Sequence, residues 1–301
     1  MSRSPTLWFA PLVGVVLVVA SISSVQLGAA IGKSIFDQIS PAGLTFVRLL
    51  LAAVIMVAIA RPRPASWSRS TLLNVLAFGA VLGAMNLLYY ASLERIPLSV
   101  AVTLELVGPL TVALVHSRRA SDVAWVLCAA AGVGIIAVQG FEGSIDLLGC
   151  VLALAAGACW GGYILLSQRV GAAVPGLSGL SAAMVVGALV ALPFGAVPAV
   201  SAVIDAPAVL GPAALVALLS SVLAYGLELL ALRRITAHSF GVFMALEPAA
   251  AALFGFLLLA ELVDGLDAVA IALVIVASAG VAITAARAAP RAAPPDLPPL
   301  P

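Results

Sequence analysis

The chain has 301 residues, of which 63% are hydrophobic and 9% are charged, and its mean hydropathy is +1.22. A soluble domain carries about 25% charged residues, so a globular core could not bury this much apolar surface. The formal net charge of +1 gives no indication of a nucleic-acid partner, and we expect the chain to lie in a lipid bilayer.

Apolar segments follow one another along the chain, separated by charges, prolines and polar clusters. A helix needs about 20 apolar residues to cross a bilayer. We place such helices at residues 8–32, 42–60, 71–93, 98–116, 122–140, 146–168, 178–200, 209–232, 238–260 and 266–286. The first segment is longer than the apolar part of a signal peptide, so we expect it to be retained. The predicted fold class is an all-α integral membrane protein with ten transmembrane helices.

The basic residues of the predicted loops lie almost entirely on one side of the membrane. An even number of spans puts both termini on the same side. That side receives Arg3, Arg61, Arg63, Arg69, Arg118, Arg119, Arg169, Arg233, Arg234, Arg287 and Arg291. The other side receives Lys33 and Arg95 and most of the acidic residues. By the positive-inside rule, we expect both termini to be cytoplasmic.

Two segments that combine a glutamate with a proline suggest an internal duplication. They are VAVTLELVGPLTVALVH at 100–116 and FGVFMALEPAAAALFG at 240–255. At an offset of 139 residues Pro109 aligns with Pro248. Each half would hold five spans, an odd number, so the second half would be inverted in the membrane. We predict one repeat at 8–140, an inverted repeat at 146–286, and a disordered proline-rich cytoplasmic tail at 287–301.

Four charged residues fall inside the predicted spans: Arg48, Glu105, Glu228 and Glu247. A charge at a helix centre costs about 2.5 to 3.5 kcal/mol on insertion scales. These residues either serve a polar site or pair with one another as ties between helices. For Glu228, five residues before Arg233, a position near the interface is equally consistent.

The two prolines bear on this choice. Pro109 cannot donate a hydrogen bond to the carbonyl of Glu105, four residues earlier. Pro248 frees the carbonyl of Met244 in the same way and biases Glu247 away from helical geometry. One such proline indicates only a packing kink. Two at corresponding places favour a cavity with oxygen groups that suit an ammonium group or a proton.

Polar and aromatic side chains also share helix faces. The pairs, three to seven residues apart, are Gln26 with Lys33, Asn86 with Tyr90, Trp160 with Tyr163, and Tyr225 with Glu228. Each pair alone is typical of interhelical contacts. Together they suit a zwitterion, with Lys33 or Arg48 on its carboxylate and Glu105 or Glu247 on its amine. The glycine pairs in GAAIG, GAVLG and GACWG predict close helix contacts.

Four segments carry a resemblance to a known family: SVQLGAAIGKS, VAVTLELVGPLTVALVHSRR, DLLGCVLALAAGACWGGYILLSQR and FGVFMALEPAAAA. The chain resembles drug/metabolite transporters built from two EamA domains, and among them bacterial threonine/homoserine exporters. The resemblance covers residues 10–287. It implies an inner-membrane protein that moves small neutral amino acids outward in exchange for protons, and it leaves open a homodimer. It points to the same candidate residues, Gln26, Lys33, Arg48, Asn86, Tyr90, Glu105, Trp160, Tyr163, Glu228 and Glu247.

Other classes of function fit the sequence less well. An intramembrane enzyme would need a nucleophile with a base or clustered metal ligands, and the histidines, His116 and His238, lie at span ends. We expect no cofactor and no metal, and the three cysteines lack metal-ligand spacing. An importer or exporter of another small metabolite or drug remains an alternative, because contacts do not encode direction.

Overall fold

The computed structural model describes residues 6–115, 120–141, 145–174, 176–232 and 243–288. All regular structure in these ranges is helical, which confirms the all-α class. The α-helices are α1 (Thr6–Lys33), α2 (Pro41–Ala60), α3 (Arg69–Leu93), α4 (Leu98–Glu105), α5 (Val107–Val115), α6 (Ala120–Phe141), α7 (Leu147–Ala173), α8 (Ser178–Asp205), α9 (Leu210–Ala217), α10 (Ala224–Leu232), α11 (Glu247–Leu259) and α12 (Gly265–Ala288). The proline-rich tail beyond residue 288 and the first residues of the predicted ninth span, 238–242, lie outside the described ranges.

Three of the predicted spans are interrupted. The span predicted at 98–116 is divided into α4 and α5 at Leu106. The one predicted at 209–232 contains a π-helical segment, Leu218–Leu223, between α9 and α10. In the ninth, residues 245–246 form a turn before α11 begins. The uninterrupted helices match the predicted spans within a few residues, apart from longer C-terminal ends of α7 and α8.

Six helices in the described ranges are long and apolar enough to cross a membrane. They are Val13–Lys33, Pro41–Ala60, Arg69–Leu93, Leu147–Ala173, Ser178–Asp205 and Pro207–Glu228. Shorter apolar helices occupy Leu98–Val112, Val123–Gln139, Glu247–Leu259 and Gly265–Val281. Many large apolar side chains on these helices are exposed, as lipid-facing surfaces require. The chain is therefore a multi-pass membrane protein.

Local sequence explains where several helices begin. The Ser40 hydroxyl accepts a hydrogen bond from the Gly43 N–H at 3.2 Å, and Pro41 occupies the first turn of α2. The Asp146 carboxylate accepts from the N–H groups of Leu148 and Gly149 at 2.8 and 3.1 Å, so it caps α7. Each side chain satisfies N–H groups that have no partner inside the helix.

The helices up to residue 141 pack mainly against those after residue 145. The extensive contacts join α2 with α8, α3 with α7 and α8, α6 with α12, α1 with α10 and α11, and α4 with α7 and α11. A Cβ added at Gly83 would lie 2.8 Å from the carbonyl oxygen of Gly187, and one at Gly157 would lie 2.5 Å from that of Glu105. These contacts confirm the predicted close approaches at GAVLG and GACWG. The interior of the molecule is thus the boundary between its two halves.

Candidate functional site

Glu105 is the last residue of α4, directly before the break at Leu106. Pro109 has no N–H to donate to the Glu105 carbonyl. Helical backbone hydrogen bonding resumes with the next residue, where the Leu110 N–H donates to the Leu106 carbonyl at 3.2 Å. The freed carbonyl lies against Gly157 of α7. It therefore takes part in the α4–α7 contact, whereas the half-buried Glu105 carboxylate makes no hydrogen bond to the described residues.

Glu247 is the first residue of α11 and its side chain is 5% exposed. The preceding turn is closed by a hydrogen bond from the Leu246 N–H to the Phe243 carbonyl at 2.9 Å. Pro248 occupies the first turn of the helix, where its missing N–H needs no partner. The carboxylate of Glu247, like that of Glu105, has no hydrogen-bond or ion-pair partner among the described residues.

Arg48 lies on α2 with only 7% of its surface exposed. Its guanidinium carbon lies 5.0 Å from the ring centroid of Tyr90 on α3, a cation–π distance. The Arg48 Nε and the Tyr90 hydroxyl are buried and have no hydrogen-bond partner among the described residues. Two strong polar groups are therefore held side by side in the interior with capacity to bind something further.

The charged groups influence one another through the interior. Arg48 acts electrostatically on Glu105, although no ion pair within 4.0 Å joins them. Glu247 lies within electrostatic range of Glu105 and Glu228. Tyr89 lies within electrostatic range of Arg48, Glu105 and Glu247. We call Arg48, Tyr89, Glu105, Glu228 and Glu247 the central cluster; it holds one cation and three carboxyl groups.

Glu228 is attached to the first helix through a serine. The Ser21 hydroxyl lies 3.3 Å from the Glu228 Oε1 and 3.2 Å from the Ala224 carbonyl oxygen. Ser24 donates to the carbonyl of Leu219 at 2.8 Å, within the π-helical segment. Two α1 serines therefore fix the position of the helix that carries Glu228. The side chain of Tyr225 lies outside the described part of α10.

The remaining predicted site residues are dispersed. Asn86 is buried but donates to the Leu82 carbonyl of its own helix at 2.8 Å. Tyr163 packs on Phe78, with ring centroids 4.9 Å apart. Gln26 is buried with its Oε1 unpartnered among the described residues, and Trp160 is half-buried. The structure joins Arg48, Tyr90, Glu105, Glu228 and Glu247, and the described contacts do not link the others to this group.

Lys33 lies at the end of α1 and is engaged by other groups. Its Nζ lies 2.5 Å from the Glu261 Oε1 and donates to the Ile96 carbonyl at 2.7 Å. The Glu261 Oε2 accepts from the Leu98 N–H at 2.7 Å. Lys33 therefore forms a contact between helices, which was the alternative interpretation to a contact with substrate.

Three residues of these networks, Ser21, Tyr89 and Glu261, were absent from the predicted site. Ser21 lies five positions before Gln26, and a serine in an apolar span gives only a weak signal. Tyr89 is adjacent to the predicted Tyr90. Glu261 lies next to a predicted span end, where an acidic residue is ordinary. The chain contains a single lysine, and the need of that lysine for an acidic partner was the one sequence signal that pointed to an acid such as Glu261.

An apolar groove of about 430 Å³ lies elsewhere, between α2 and α8. Its walls are Phe46, Leu50, Ala53, Val54, Val57, Ala58, Val185, Ala188, Leu189 and Leu192. Val54 and Leu189 are each 59% exposed, so the groove opens on the outer surface of the helices. It contains none of the predicted site residues and belongs to the lipid-facing surface.

Buried charges enclosed by membrane-spanning helices are typical of the substrate and ion pathways of membrane transport proteins. The chain belongs to the EamA-like transporter family, whose pattern matches residues 12–139 and 147–283. This membership indicates a transporter rather than an enzyme.

Two curated relatives are threonine/homoserine exporters named RhtA. The one from Salmonella typhimurium strain SL1344 is 38% identical over 274 residues, which cover 91% of this chain and 92% of the relative. The one from Escherichia coli K12 is 39% identical over 272 residues, covering 90% and 91%. A protein of known crystal structure shares the fold, with a TM-score of 0.59 and 18% identity, over 95% of this chain and 99% of that one.

Proposed function

We propose that this protein exports small neutral amino acids of the threonine and homoserine type across the bacterial inner membrane, in exchange for protons. The two exporters that are 38% and 39% identical to it support this substrate class. Their similarity extends over nine-tenths of both chains. The direction, the substrate and the coupling ion are parts of the proposal.

The observation that carries the proposal is the central cluster. Arg48 acts electrostatically on Glu105, and Glu105 and Glu228 act on Glu247, so one guanidinium and three carboxyl groups form a chain of electrostatic neighbours in the interior. Like charges held in a medium of low dielectric repel strongly, so the cluster is stable only if it takes up a proton or a cationic group. The ammonium group of an amino acid and a proton both meet that need.

Each group of the cluster can be given a role. Arg48 binds the substrate carboxylate, because its Nε is unpartnered and guanidinium suits carboxylate geometry. Glu105, on which Arg48 acts electrostatically, binds the ammonium group. Glu247, whose electrostatic neighbours include two other acids, carries the proton. Substrate and proton then compete for adjacent carboxylates, which couples their movements.

The proposed architecture is ten transmembrane helices in two inverted repeats, 8–140 and 146–286, with both termini in the cytoplasm. The pattern of helix contacts supports the repeat. If each span is exchanged for its counterpart five spans away, the α3–α7 contact becomes α1–α10, and α4–α7 becomes α1–α11. Both contacts in each exchange are present, and α2–α8, α4–α11 and α6–α12 map onto themselves. The excess of arginine in the loops on the side of the termini supports the orientation.

The proposed mechanism is alternating access between the halves. Substrate enters the cluster from the cytoplasm and displaces the proton from Glu247. The halves then rearrange around the cluster, and the substrate leaves outward as Glu247 takes up an external proton. Return of the protonated form to the inward state completes the cycle.

The test is efflux of a panel of amino acids from a strain that lacks its own threonine and homoserine exporters. Expression of this chain should lower intracellular threonine and homoserine and protect the cells from their excess. In everted vesicles, a proton gradient should drive uptake of the same amino acids, and Glu105→Gln should lose it at normal membrane abundance. Efflux of an unrelated metabolite, with threonine unaffected, would assign the chain to another substrate class.

A further inference from the structure

Lys33 and Glu261 form a closed network with the backbone that precedes α4. Lys33 binds both the Glu261 Oε1 and the Ile96 carbonyl, and the Glu261 Oε2 accepts from the Leu98 N–H. We call these four groups the latch. It joins the end of α1, the start of α4 and the connection between α11 and α12.

The backbone after α11 aims Glu261 into this network. Ala260 has a left-handed conformation with φ of 53°, and the Glu261 N–H returns to the Gly255 carbonyl at 3.1 Å. A Cβ on Gly255 would lie 2.7 Å from the Glu261 Oε2, so the glycine leaves room for the carboxylate. A turn and a small residue therefore place an acid over the end of the helix rather than in solvent.

The latch connects the two family-matched segments, because Lys33 lies in 12–139 and Glu261 in 147–283. Two other polar bridges lie at the same end of the helices, one between the two segments and one from the first segment to Asp146, the residue before the second. Arg95 pairs with Asp146 at 3.0 Å, and Gln139 donates to Asp267 at 3.2 Å. The side chains of Lys33 and Glu261 are 19% and 16% exposed, compared with 39% and 38% for Arg95 and Asp146. The latch is thus the more desolvated of the two ion pairs.

We propose that the latch is the gate that closes this end of the transporter and that it must open for substrate to pass. The inference rests on the proposed alternating access. Separation of the halves at this end requires Glu261 to leave Lys33 and the Leu98 N–H. Leu98 begins α4, which ends at Glu105, so opening the latch also frees the helix that carries a substrate-binding acid. Because the loops at the opposite end carry most of the arginine residues, that end is cytoplasmic by the positive-inside rule and the gate faces outward.

The test measures access to the central cluster from each face of the membrane. Cys159 of α7 is half-buried and lies within electrostatic range of Glu105, so it reports on that space. With Cys128 and Cys150 replaced by alanine, a membrane-impermeant maleimide is applied to intact cells and to everted vesicles. Glu261→Gln retains an oxygen that accepts from the Leu98 N–H but removes the charge that holds Lys33.

Glu261→Gln should raise the rate of Cys159 labelling in intact cells about tenfold. Loss of one partner leaves the Lys33 charge partly buried and unpaired, which favours the open state of the latch. Lys33→Met, which opens the latch from its other partner, should have the same effect. Arg95→Gln breaks the exposed pair at the same end and should change the rate less than about twofold. Labelling in everted vesicles should not increase in any of these variants.

Unchanged labelling in both latch variants, or an equal rise from both faces, would overturn the gate. The measurement needs no substrate, so its result is independent of the substrate assignment. A chain that exports a different metabolite would still show the asymmetric rise in labelling.

Discussion

The two glutamate–proline segments place their acids at opposite ends of a helix. Glu105 is the last residue of α4, and Glu247 is the first residue of α11. Backbone dipoles favour negative charge at a helix N-terminus and oppose it at a C-terminus. Arg48 acts electrostatically on Glu105, whereas Glu247 lies at the N-terminus of α11, whose dipole favours its charge. The same residue types give two carboxylates in different electrostatic settings.

The neighbours of the two acids differ in the same sense. At the offset of 139 residues, the position of Arg48 corresponds to Gly187, which packs against α3. The position of Tyr89 corresponds to Glu228. The acid of the first half thus has a cation nearby, and the acid of the second half has another acid. In the mechanism we propose, this difference assigns substrate binding to the acid of the first half and proton carriage to the acid of the second.

The largest expected effect separates these tasks. Glu247→Gln should reduce proton-driven uptake into everted vesicles about 100-fold, since the coupling between proton and substrate is lost. Exchange of labelled for unlabelled threonine across the same vesicles should persist, because Arg48 and Glu105 remain.

Glu105→Gln is the matched variant, and it should impair both proton-driven uptake and exchange. If the two variants behaved alike in both assays, the proposed division between the acids would be wrong. Membrane abundance of each variant, measured by immunoblot, controls for insertion.

The second effect tests the packing beside each acid. Gly157 lets the backbone of α7 reach Glu105, and its counterpart at the same offset is Val18, which is buried beside Met244. Gly157→Val should lower the free energy of unfolding by about 3 kcal/mol or more, because the new side chain would force α7 away from α4. Val18→Ala leaves only a small void and should cost about 2 kcal/mol.

The measurement is thermal unfolding of the purified protein in detergent. Gly134→Ala is the control, since a Cβ there meets no atom within 4 Å, and it should stabilise α6 by about 0.5 to 1 kcal/mol. A Gly157→Val protein as stable as its parent would mean that α7 does not hold the α4 break closely.

A smaller effect concerns the second acid near Glu247. Ser21→Ala removes the hydroxyl that contacts Glu228 and should lower stability by about 1 kcal/mol. Substrate exchange should change less than the proton dependence of uptake, which is measured from pH 5 to 8 in vesicles. A variant with the parent's pH profile would show that the Ser21 contact with Glu228 does not influence proton handling.

The smallest effect lies outside both segments and supplies a baseline. The N–H of Gly149 and the Arg95 side chain hold the pKa of Asp146 below its usual 3.8. Because the pKa of Asp146 is lower in the folded state than in the unfolded state, its ionised carboxylate stabilises the folded state above pH 3.8. This stabilisation is lost as the pH falls through the folded-state pKa. Asp146→Ala should therefore lower Tm slightly at pH 7, and the difference from the parent should shrink below pH 3.8.

Asp146→Asn separates the two contributions, because asparagine also caps helices but cannot pair with Arg95. It should retain most of the Tm of the parent at pH 7. A Tm as low as that of Asp146→Ala would assign the stabilisation to the ion pair instead.

Hydropathy predicted the helices well because the bilayer imposes length and composition on each one separately. The broken segment at Leu106 was also foreseeable, since Pro109 acts on its own helix. The partners across the halves were not. Lys33 and Glu261 are separated by most of the chain, and eight acidic residues were expected on the same side as the lysine. Which of them meets Lys33 depends on helix packing, which no local pattern encodes.

The π-helical segment Leu218–Leu223 sets the rotation of everything that follows it. A π turn holds one residue more than an α turn, and each residue of an α-helix advances the face by about 100°. The π turn therefore takes up one extra residue without turning the residues that follow it. If the same residues formed regular α-helix, that extra residue would rotate Glu228 by about 100° around the helix axis, away from Ser21, whereas deletion of one residue there would leave Glu228 facing Ser21.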